Sequence, residues 1–216
     1  MKNTLFSMIL FLSLQVVCFG QTAEEYFKSG YAKNNHEDPD GAIEDYDKAI
    51  ALKPGYTNAW NNKGLTLGKL IRYEEAIKCF DKAIEISPDS ADGWYNKGIT
   101  LGKLNKYEES ILCFEKVTKL KPGYFNGWIN NGYALKKSGK LEKALKCYDK
   151  AIELQSDFAL AWYNKSSIYS IMKSKKKMLS TLKKAIELDD RCKEKAKADS
   201  DFNEFLNDPD FKKLVE

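Results

Sequence analysis

The sequence has little of what an enzyme needs. It contains a single histidine, His36, and no dense cluster of metal-ligating residues. His36 lies in the acidic segment NNHEDPDGAIED, so no cysteine or serine has a plausible histidine partner for nucleophilic catalysis. No convincing strand is present, and a glycine-rich phosphate loop of the strand–loop–helix type is therefore excluded. We assign no catalytic residue, no metal site and no cofactor, and we predict a protein that is not an enzyme.

The segment around His36 has a weak likeness to a calcium-binding loop. His36, Asp38, Asp40 and Gly41 supply suitable spacing, but the position of the closing glutamate is Asp47, which falls inside a predicted helix. We interpret the segment as a solvated turn in which Asp38 caps the helix that begins at the following proline.

A strong excess of charge is also lacking. The chain has 35 basic and 31 acidic residues, a net charge of +4, which does not indicate a nucleic-acid partner. Hydrophobic residues make up 43% and charged residues 31% of the 216 residues. This composition is typical of a chain that folds around a packed core.

Only the first twenty residues have the pattern of an export segment. Lys2 precedes an apolar run over 5–19, whose only polar members are Ser7, Ser13 and Gln15. Gly20 then leads into a polar, acidic sequence. This arrangement predicts a secretory signal peptide over residues 1–20, cleaved after Gly20, and an exported protein that is periplasmic or secreted.

Two alternatives to a cleaved signal peptide stay open. An apolar run of about 15 residues spans roughly 23 Å as a helix, which is short of the ~30 Å hydrocarbon core. A membrane anchor over residues 4–20 that is not cleaved is therefore the second interpretation, and only in that case do we expect contact with a membrane. Lipid attachment at Cys18 is the third, although the residues before it are not small.

The remaining cysteines do not form a disulfide pattern. Cys79, Cys113 and Cys147 recur at one fixed interval and therefore occupy one repeated structural position. In stacked helices, equivalent Cα atoms lie ~8–10 Å apart, beyond the ~7 Å limit for a disulfide. We interpret these cysteines as small core residues.

The dominant feature of the sequence is a repeat with a period of about 34 residues. The aromatic position holds Tyr26, Trp60, Trp94, Trp128 and Trp162, and the fourth position after it holds Gly30, Gly64, Gly98, Gly132 and Ser166. Three units close with Pro54, Pro88 and Pro122. The repeat predicts five units over residues 21–192, with bounds at 23–56, 57–90, 91–124, 125–158 and 159–192.

Each unit is predicted to be a pair of helices. The second helix of the second unit, YEEAIKCFDKAIEI, has apolar residues at spacings of three and four, which form one helical face. The small residues Gly64 and Ala76 are expected to let the two helix axes approach, while Trp60, Leu67 and Phe80 fill the wider gaps. A single hairpin cannot bury this face alone, so neighbouring hairpins must stack.

The pattern Trp-x3-Gly, then Ala-x3-Phe/Tyr-x2-Ala, then Pro, resembles the tetratricopeptide repeat over residues 23–192. The resemblance implies an all-α, right-handed solenoid in which the first helices of the units line a concave groove. It also implies a protein that binds other proteins or extended peptides.

The C-terminal end departs from the repeat. Unit five replaces signature residues with Ser166, Met178, Leu182 and Asp190. Residues 193–216 then contain an apolar stripe at Phe202, Phe205 and Leu206, followed by Asp208 and Pro209 as a helix start. We predict short helices that cap the exposed end of the solenoid.

The outward positions of the first helices form rows that predict a binding groove. The rows are Asn62, Asn96, Asn130 and Asn164; Asn61, Tyr95, Ile129 and Tyr163; Leu65, Ile99 and Tyr133; and Lys69, Lys103 and Lys137. An asparagine amide both donates and accepts, which matches an extended peptide backbone, and the resemblance implies the same role. The alternative is that the asparagines bond to neighbouring helices as part of the scaffold. The lysine row indicates a ligand with acidic groups.

A clamp for a partner's terminal carboxylate, known in this family, is not predicted. It needs a lysine where this chain has Asn61 and an asparagine where it has Leu65. The second function that the sequence allows is structural. In that interpretation the chain is a self-associating envelope component that uses its convex face or its tail.

Overall fold

The computed structural model describes residues 21–216, so the signal-peptide prediction lies outside the described residues. Every regular element in this range is helical, which confirms the all-α prediction. The elements are α1 (Ala23–Asn35), α2 (Pro39–Leu52), α3 (Thr57–Lys69), α4 (Tyr73–Ile86), α5 (Ala91–Lys103), α6 (Tyr107–Leu120), α7 (Phe125–Lys137), α8 (Leu141–Leu154), α9 (Ala159–Ile171), α10 (Lys175–Leu188), α11 (Cys192–Ala198), a 3₁₀ helix (Ser200–Phe205) and α12 (Pro209–Val215). None of these helices is both long and apolar enough to cross a membrane.

The first ten helices form five hairpins that stack in chain order. Each odd-numbered helix packs on the even-numbered helix that follows it, and each hairpin packs on the next. The odd-numbered helices α1, α3, α5, α7 and α9 also contact one another in sequence, so they line one face of the solenoid. Below, this concave surface is called the groove face.

Glycine sets the closest approach between the two helices of a hairpin. A Cβ atom added at Gly64 would lie 2.6 Å from Cε1 of Phe80, and one added at Gly98 would lie 2.9 Å from Cε1 of Phe114. Such distances are far inside van der Waals contact. The aromatic ring of the second helix therefore lies directly on the glycine of the first, which explains why the two recur together in units one to four.

The repeated tryptophan is only partly buried, and it ties each first helix to the loop before it. The indole N–H of Trp60 donates a hydrogen bond to the carbonyl of Pro54 at 2.9 Å, and Trp94 and Trp128 repeat the bond in the next two units at 2.8 Å. In unit five the acceptor is the carbonyl of Ser156. Since a backbone carbonyl accepts this bond, it survives the loss of proline in the last unit.

The turn inside each hairpin uses a left-handed residue at one repeated position. Positive φ angles occur at Glu37, Ile71, Asn105, Gly139 and Lys173. Glycine is the residue that adopts this conformation without strain, and only Gly139 satisfies that preference. The turn geometry is therefore held by the packing of the hairpin more than by the local sequence.

The four cysteines in residues 21–216 are buried and free. Burial raises the pKa of Cys79 and Cys113 to about 11 and that of Cys147 to about 12. At neutral pH these thiols are protonated and therefore poor nucleophiles. They behave as small apolar residues of the core.

A ladder of ion pairs connects successive hairpins. Lysines on the first helices pair with aspartates on the preceding second helices, in the pairs Lys63–Asp47 at 2.5 Å, Lys97–Asp81 at 2.6 Å and Lys165–Asp149 at 2.5 Å. In unit four the lysine position holds Asn131 and the acid position holds Glu115. Asn131 is 3% exposed, and its Oδ1 atom has no hydrogen-bond partner among residues 21–216. The ladder is thus interrupted at one unit.

Restoring the missing ion pair should stabilise the protein. We expect Asn131→Lys to raise the free energy of unfolding by about 1 kcal/mol, because it removes an unsatisfied buried oxygen and adds a partly shielded pair with Glu115. Urea unfolding measures the change, and added salt should reduce the gain. Lys97→Asn is the reciprocal control and should destabilise. A loss of stability in Asn131→Lys would contradict the proposed pairing.

Candidate functional site

The groove face carries two open cavities between neighbouring first helices. One of ≈ 400 Å³ lies among α1, α3 and α5, and one of ≈ 330 Å³ lies between α5 and α7. Eight of the predicted groove residues line them, namely Asn62, Leu65, Lys69, Asn96, Ile99, Lys103, Asn130 and Tyr133. The apolar strip is accessible, with Leu65 39% and Tyr133 44% exposed. The surface called the open groove below consists of Asn62, Leu65, Lys69, Asn96, Ile99, Lys103, Asn130, Tyr133 and Lys137.

The asparagine row uses its N–H groups within the scaffold. Asn96 Nδ2 donates to Asn61 Oδ1 at 3.0 Å, and Asn130 Nδ2 donates to Tyr95 Oη at 3.0 Å and to the carbonyl of Asn126 at 2.8 Å. Asn62 Nδ2 donates to the carbonyl of Asn58 at 2.9 Å within its own helix. The bonds from Asn96 and Asn130 join neighbouring first helices, and this is the scaffold role that the sequence analysis gave as the alternative to ligand binding.

The carbonyl oxygens of the same asparagine side chains, unlike their N–H groups, are not engaged in hydrogen bonds within the described residues. Across residues 21–216, no group donates a hydrogen bond to Oδ1 of Asn62, Asn96 or Asn130. The row therefore presents unused acceptors, while Asn130 has both N–H groups engaged and Asn62 and Asn96 each have one engaged. An extended ligand could use these oxygens through its backbone N–H groups.

The tyrosine row does not stay open along the whole array. Tyr95 packs edge-on against Phe114 and Tyr124, with ring centroids 5.9 and 5.2 Å apart, and burial raises its pKa to about 12. It links α5 to α7 through Asn130. Tyr95 therefore contributes mainly to the scaffold of the groove face.

Tyr163 does not belong to the open groove, contrary to the prediction. It is 1% exposed, and its Oη donates to Asp199 Oδ2 at 2.8 Å. Burial and the Asp199 carboxylate raise the pKa of Tyr163, so the hydroxyl keeps its proton. The reason is that the chain's own C-terminal segment packs on α9. Asn164 is half-buried, as are Asn62, Asn96 and Asn130.

The lysine row lies along the open groove without acidic partners. Lys69 Nζ donates to Asn34 Oδ1 at 3.3 Å, while Lys103 and Lys137 lie 5.5 and 5.7 Å from the ring centroids of Tyr73 and Tyr133. Among the described residues, no carboxylate forms a salt bridge with these three ammonium groups, and no aspartate or glutamate lines either cavity. The open groove is therefore electropositive.

Three residues of the groove face were missed by the sequence reasoning. Tyr31, Asn34 and Asn35 of α1 line the larger cavity, and Asn35 is the unit-one equivalent of the lysine row. Tyr31 is the unit-one equivalent of Leu65, so extending the apolar row back by one repeat identifies it. Asn34 has no such signal, because its equivalents in units two and three are glycines.

These hairpins and their concave face define a helical-repeat solenoid. Models of the tetratricopeptide repeat match residues 57–90 and 91–124, and again 159–192, while a TPR repeat model matches residues 132–169. The chain belongs to the tetratricopeptide repeat family.

Solved structures of other tetratricopeptide proteins share the fold. The crystal structure of MamA is 22% identical with a TM-score of 0.72, covering 75% of this chain and 95% of that one. MamA from Desulfovibrio magneticus RS-1 is 20% identical with a TM-score of 0.75, covering 80% and 97%. YrrB, described as a TPR protein with an unusual peptide-binding site, is 24% identical with a TM-score of 0.71, covering 78% and 87%.

A sequence relative matches a shorter part of the chain. An uncharacterized protein of Methanocaldococcus jannaschii, MJ0572, is 50% identical over 54 residues. The match covers 25% of this chain and 63% of the length of that relative.

Proposed function

We propose that this protein is a non-enzymatic scaffold that binds a protein or an extended peptide in the open groove. The observation that carries the proposal is the pair of accessible cavities on the groove face, which combine apolar side chains, unused amide oxygens and unpaired lysines. Membership of the tetratricopeptide repeat family and the peptide-binding site described for YrrB support the same class of function.

The spacing of the helices suits an extended ligand. First helices about 10 Å apart meet a chain that rises ~3.3 Å per residue at about every third residue. Each open unit then offers one apolar contact, one hydrogen-bond acceptor and one ammonium group to three successive residues of the ligand. A folded partner could present such a segment as a loop or a terminus.

The groove can be tested with a displayed library of random peptides selected on the purified protein. We expect the selected peptides to lose about five- to tenfold in affinity on Leu65→Ala and again on Tyr133→Ala, because each removes an exposed apolar contact worth about 1 kcal/mol. Leu112→Ala is the matched control, since Leu112 is 65% exposed and lies on α6, a second helix.

The possible outcomes separate the groove from the alternative functions. Loss of binding in Leu112→Ala alone would place the ligand on the second helices and refute the groove. Recovery of no binding peptide would refute peptide binding. A self-associating component would form oligomers that light scattering detects, whereas the proposed scaffold is a monomer with a free groove.

We also propose that the protein is exported, on the strength of the sequence of residues 1–20. Sequencing the N-terminus of the protein recovered from the native envelope fraction tests this. A mature chain that begins at Gln21 is the expected result. A chain that retains residues 4–20 and stays with the membrane would instead support the anchor.

A further inference from the structure

The groove face is already occupied at its C-terminal end by a segment of this chain. Residues 199–206, with the sequence DSDFNEFL, lie against α9 and reach α7. We infer that the open groove binds an acidic, phenylalanine-bearing segment of a partner protein, of the same chemistry as this tail. The inference rests on the proposed function and specifies the ligand of the same groove.

The aromatic part of the tail packs on the tyrosine row. The ring of Phe202 lies 5.7 Å from the ring of Tyr163, and Phe202 and Phe205 are both buried. Asp199, which precedes Phe202 in the same segment, accepts the hydrogen bond from Tyr163 Oη. The groove face therefore holds a carboxylate and a phenylalanine together.

The acidic part of the tail pairs with one lysine of a first helix and one lysine of the last hairpin turn. Lys136 of α7 forms an ion pair with Asp201 and donates to Ser167 Oγ at 2.9 Å, and its side chain is only 10% exposed. Lys173 pairs with Glu204 at 3.1 Å. Both cations stand on the side of the array that the tail covers, so charge attraction fixes the tail across two neighbouring units.

The tail covers the unit-five positions of two rows of the groove face, and one of these rows, that of Leu65 and Tyr133, remains open in the other units. Tyr163 is the unit-five equivalent of Asn61, Tyr95 and Ile129, and Ser167 is the equivalent of Leu65, Ile99 and Tyr133. The lysine row, Lys69, Lys103 and Lys137, lies one position after Lys136 in the repeat. The open groove thus offers the same types of group that hold the tail, ammonium groups beside accessible apolar side chains, at neighbouring positions of the repeat.

The open groove lacks the carboxylate and the phenylalanine that the tail supplies at the C-terminal end of the groove face. Among the described residues, no carboxylate compensates the lysine row there, and Leu65 and Tyr133 remain accessible. A ligand with aspartate or glutamate near a phenylalanine would supply both missing groups. The tail of a second copy is a poorer candidate, because Phe202 and Phe205 are buried in their own chain.

Fluorescence anisotropy with the purified protein tests the inference. The probe is a fluorescein-labelled peptide with the sequence of residues 199–206, and its matched control carries asparagine and glutamine in place of the acidic residues. We expect the acidic peptide to bind at least tenfold more tightly than the neutral one, with an advantage that added salt reduces. Lys69→Gln and Lys103→Gln should each weaken the acidic peptide about three- to fivefold.

The control variant is Lys183→Gln, which removes the same charge from an exposed position of α10, outside the groove face. Equal losses in Lys183→Gln and Lys103→Gln would show unspecific charge attraction and overturn the inference. Equal binding of the acidic and neutral peptides would also overturn it. If library-selected peptides still depended on Leu65 and Tyr133 in that case, the proposed function would stand. If neither the acidic peptide nor any library-selected peptide bound, both this inference and the proposed peptide-binding function would be refuted.

Discussion

Phe202→Ala is expected to lower the free energy of unfolding by about 3–5 kcal/mol, the usual cost of deleting a fully buried phenylalanine ring. Phe202 has no exposed surface and lies between Tyr163 and Phe211, with ring centroids 5.7 Å away on each side. The substitution leaves a cavity at the centre of the contact between tail and α9. The C-terminal segment then loses its main anchor.

The damage should stay at one end of the array. Repeat solenoids are stabilised by contacts between neighbours, so the loss of a cap weakens the adjacent hairpin most. Hydrogen exchange should show lower protection in α9 and α10, with little change in α1 to α4. Asn203→Ala is the control, an exposed neighbour expected to change stability by less than about 0.5 kcal/mol. Uniform loss along the chain would contradict this picture, as would an unchanged stability of Phe202→Ala.

Gly98→Ala is expected to cost about 1–3 kcal/mol, although alanine favours a helix more than glycine does. The added Cβ would lie 2.9 Å from Cε1 of Phe114 and 3.2 Å from the Cβ of Cys113. The second of these atoms is fixed to the backbone and cannot rotate away. The two helices of the third hairpin must therefore move apart, and the packing of the ring is lost.

A second glycine in a helix provides a control of opposite sign. Gly68 lies in the last turn of α3, and a Cβ added there meets no atom within 4 Å. Gly68→Ala should therefore stabilise by about 0.5–1 kcal/mol through helix propensity alone. Urea unfolding of both variants measures the difference. A gain in Gly98→Ala would show that the hairpin is not held at its closest approach by glycine.

Much of the fold was predictable because the repeat places equivalent residues among equivalent neighbours. The helical hairpins, the glycine under an aromatic ring, the buried free cysteines and the caps at Asp38 and Asp208 all follow from local spacing. The lysine row and the apolar row could also be assigned to one face from helical periodicity. The proposed ligand of that face stays a prediction.

Other features of the site depend on contacts that spacing does not show. The amide N–H groups of Asn96 and Asn130 bond across to α3 and α5, to residues 35 positions earlier in the chain, and only their side-chain geometry reveals which atoms remain for a ligand. The sequence also placed Tyr163 in the groove by analogy with Tyr95. In the structure the C-terminal tail packs on Tyr163 and buries it.

The sequence by itself determined the repeating scaffold and the chemical character of its concave face, because both arise from a pattern that each unit copies from the last. The tertiary structure decided where that face is open. The contacts that close its C-terminal end join residues 36 and 65 positions apart, Tyr163 to Asp199 and Lys136 to Asp201. Each closing contact occurs once in the chain, so the repeat carries no signal for it. It depends on the path by which the tail returns across α9.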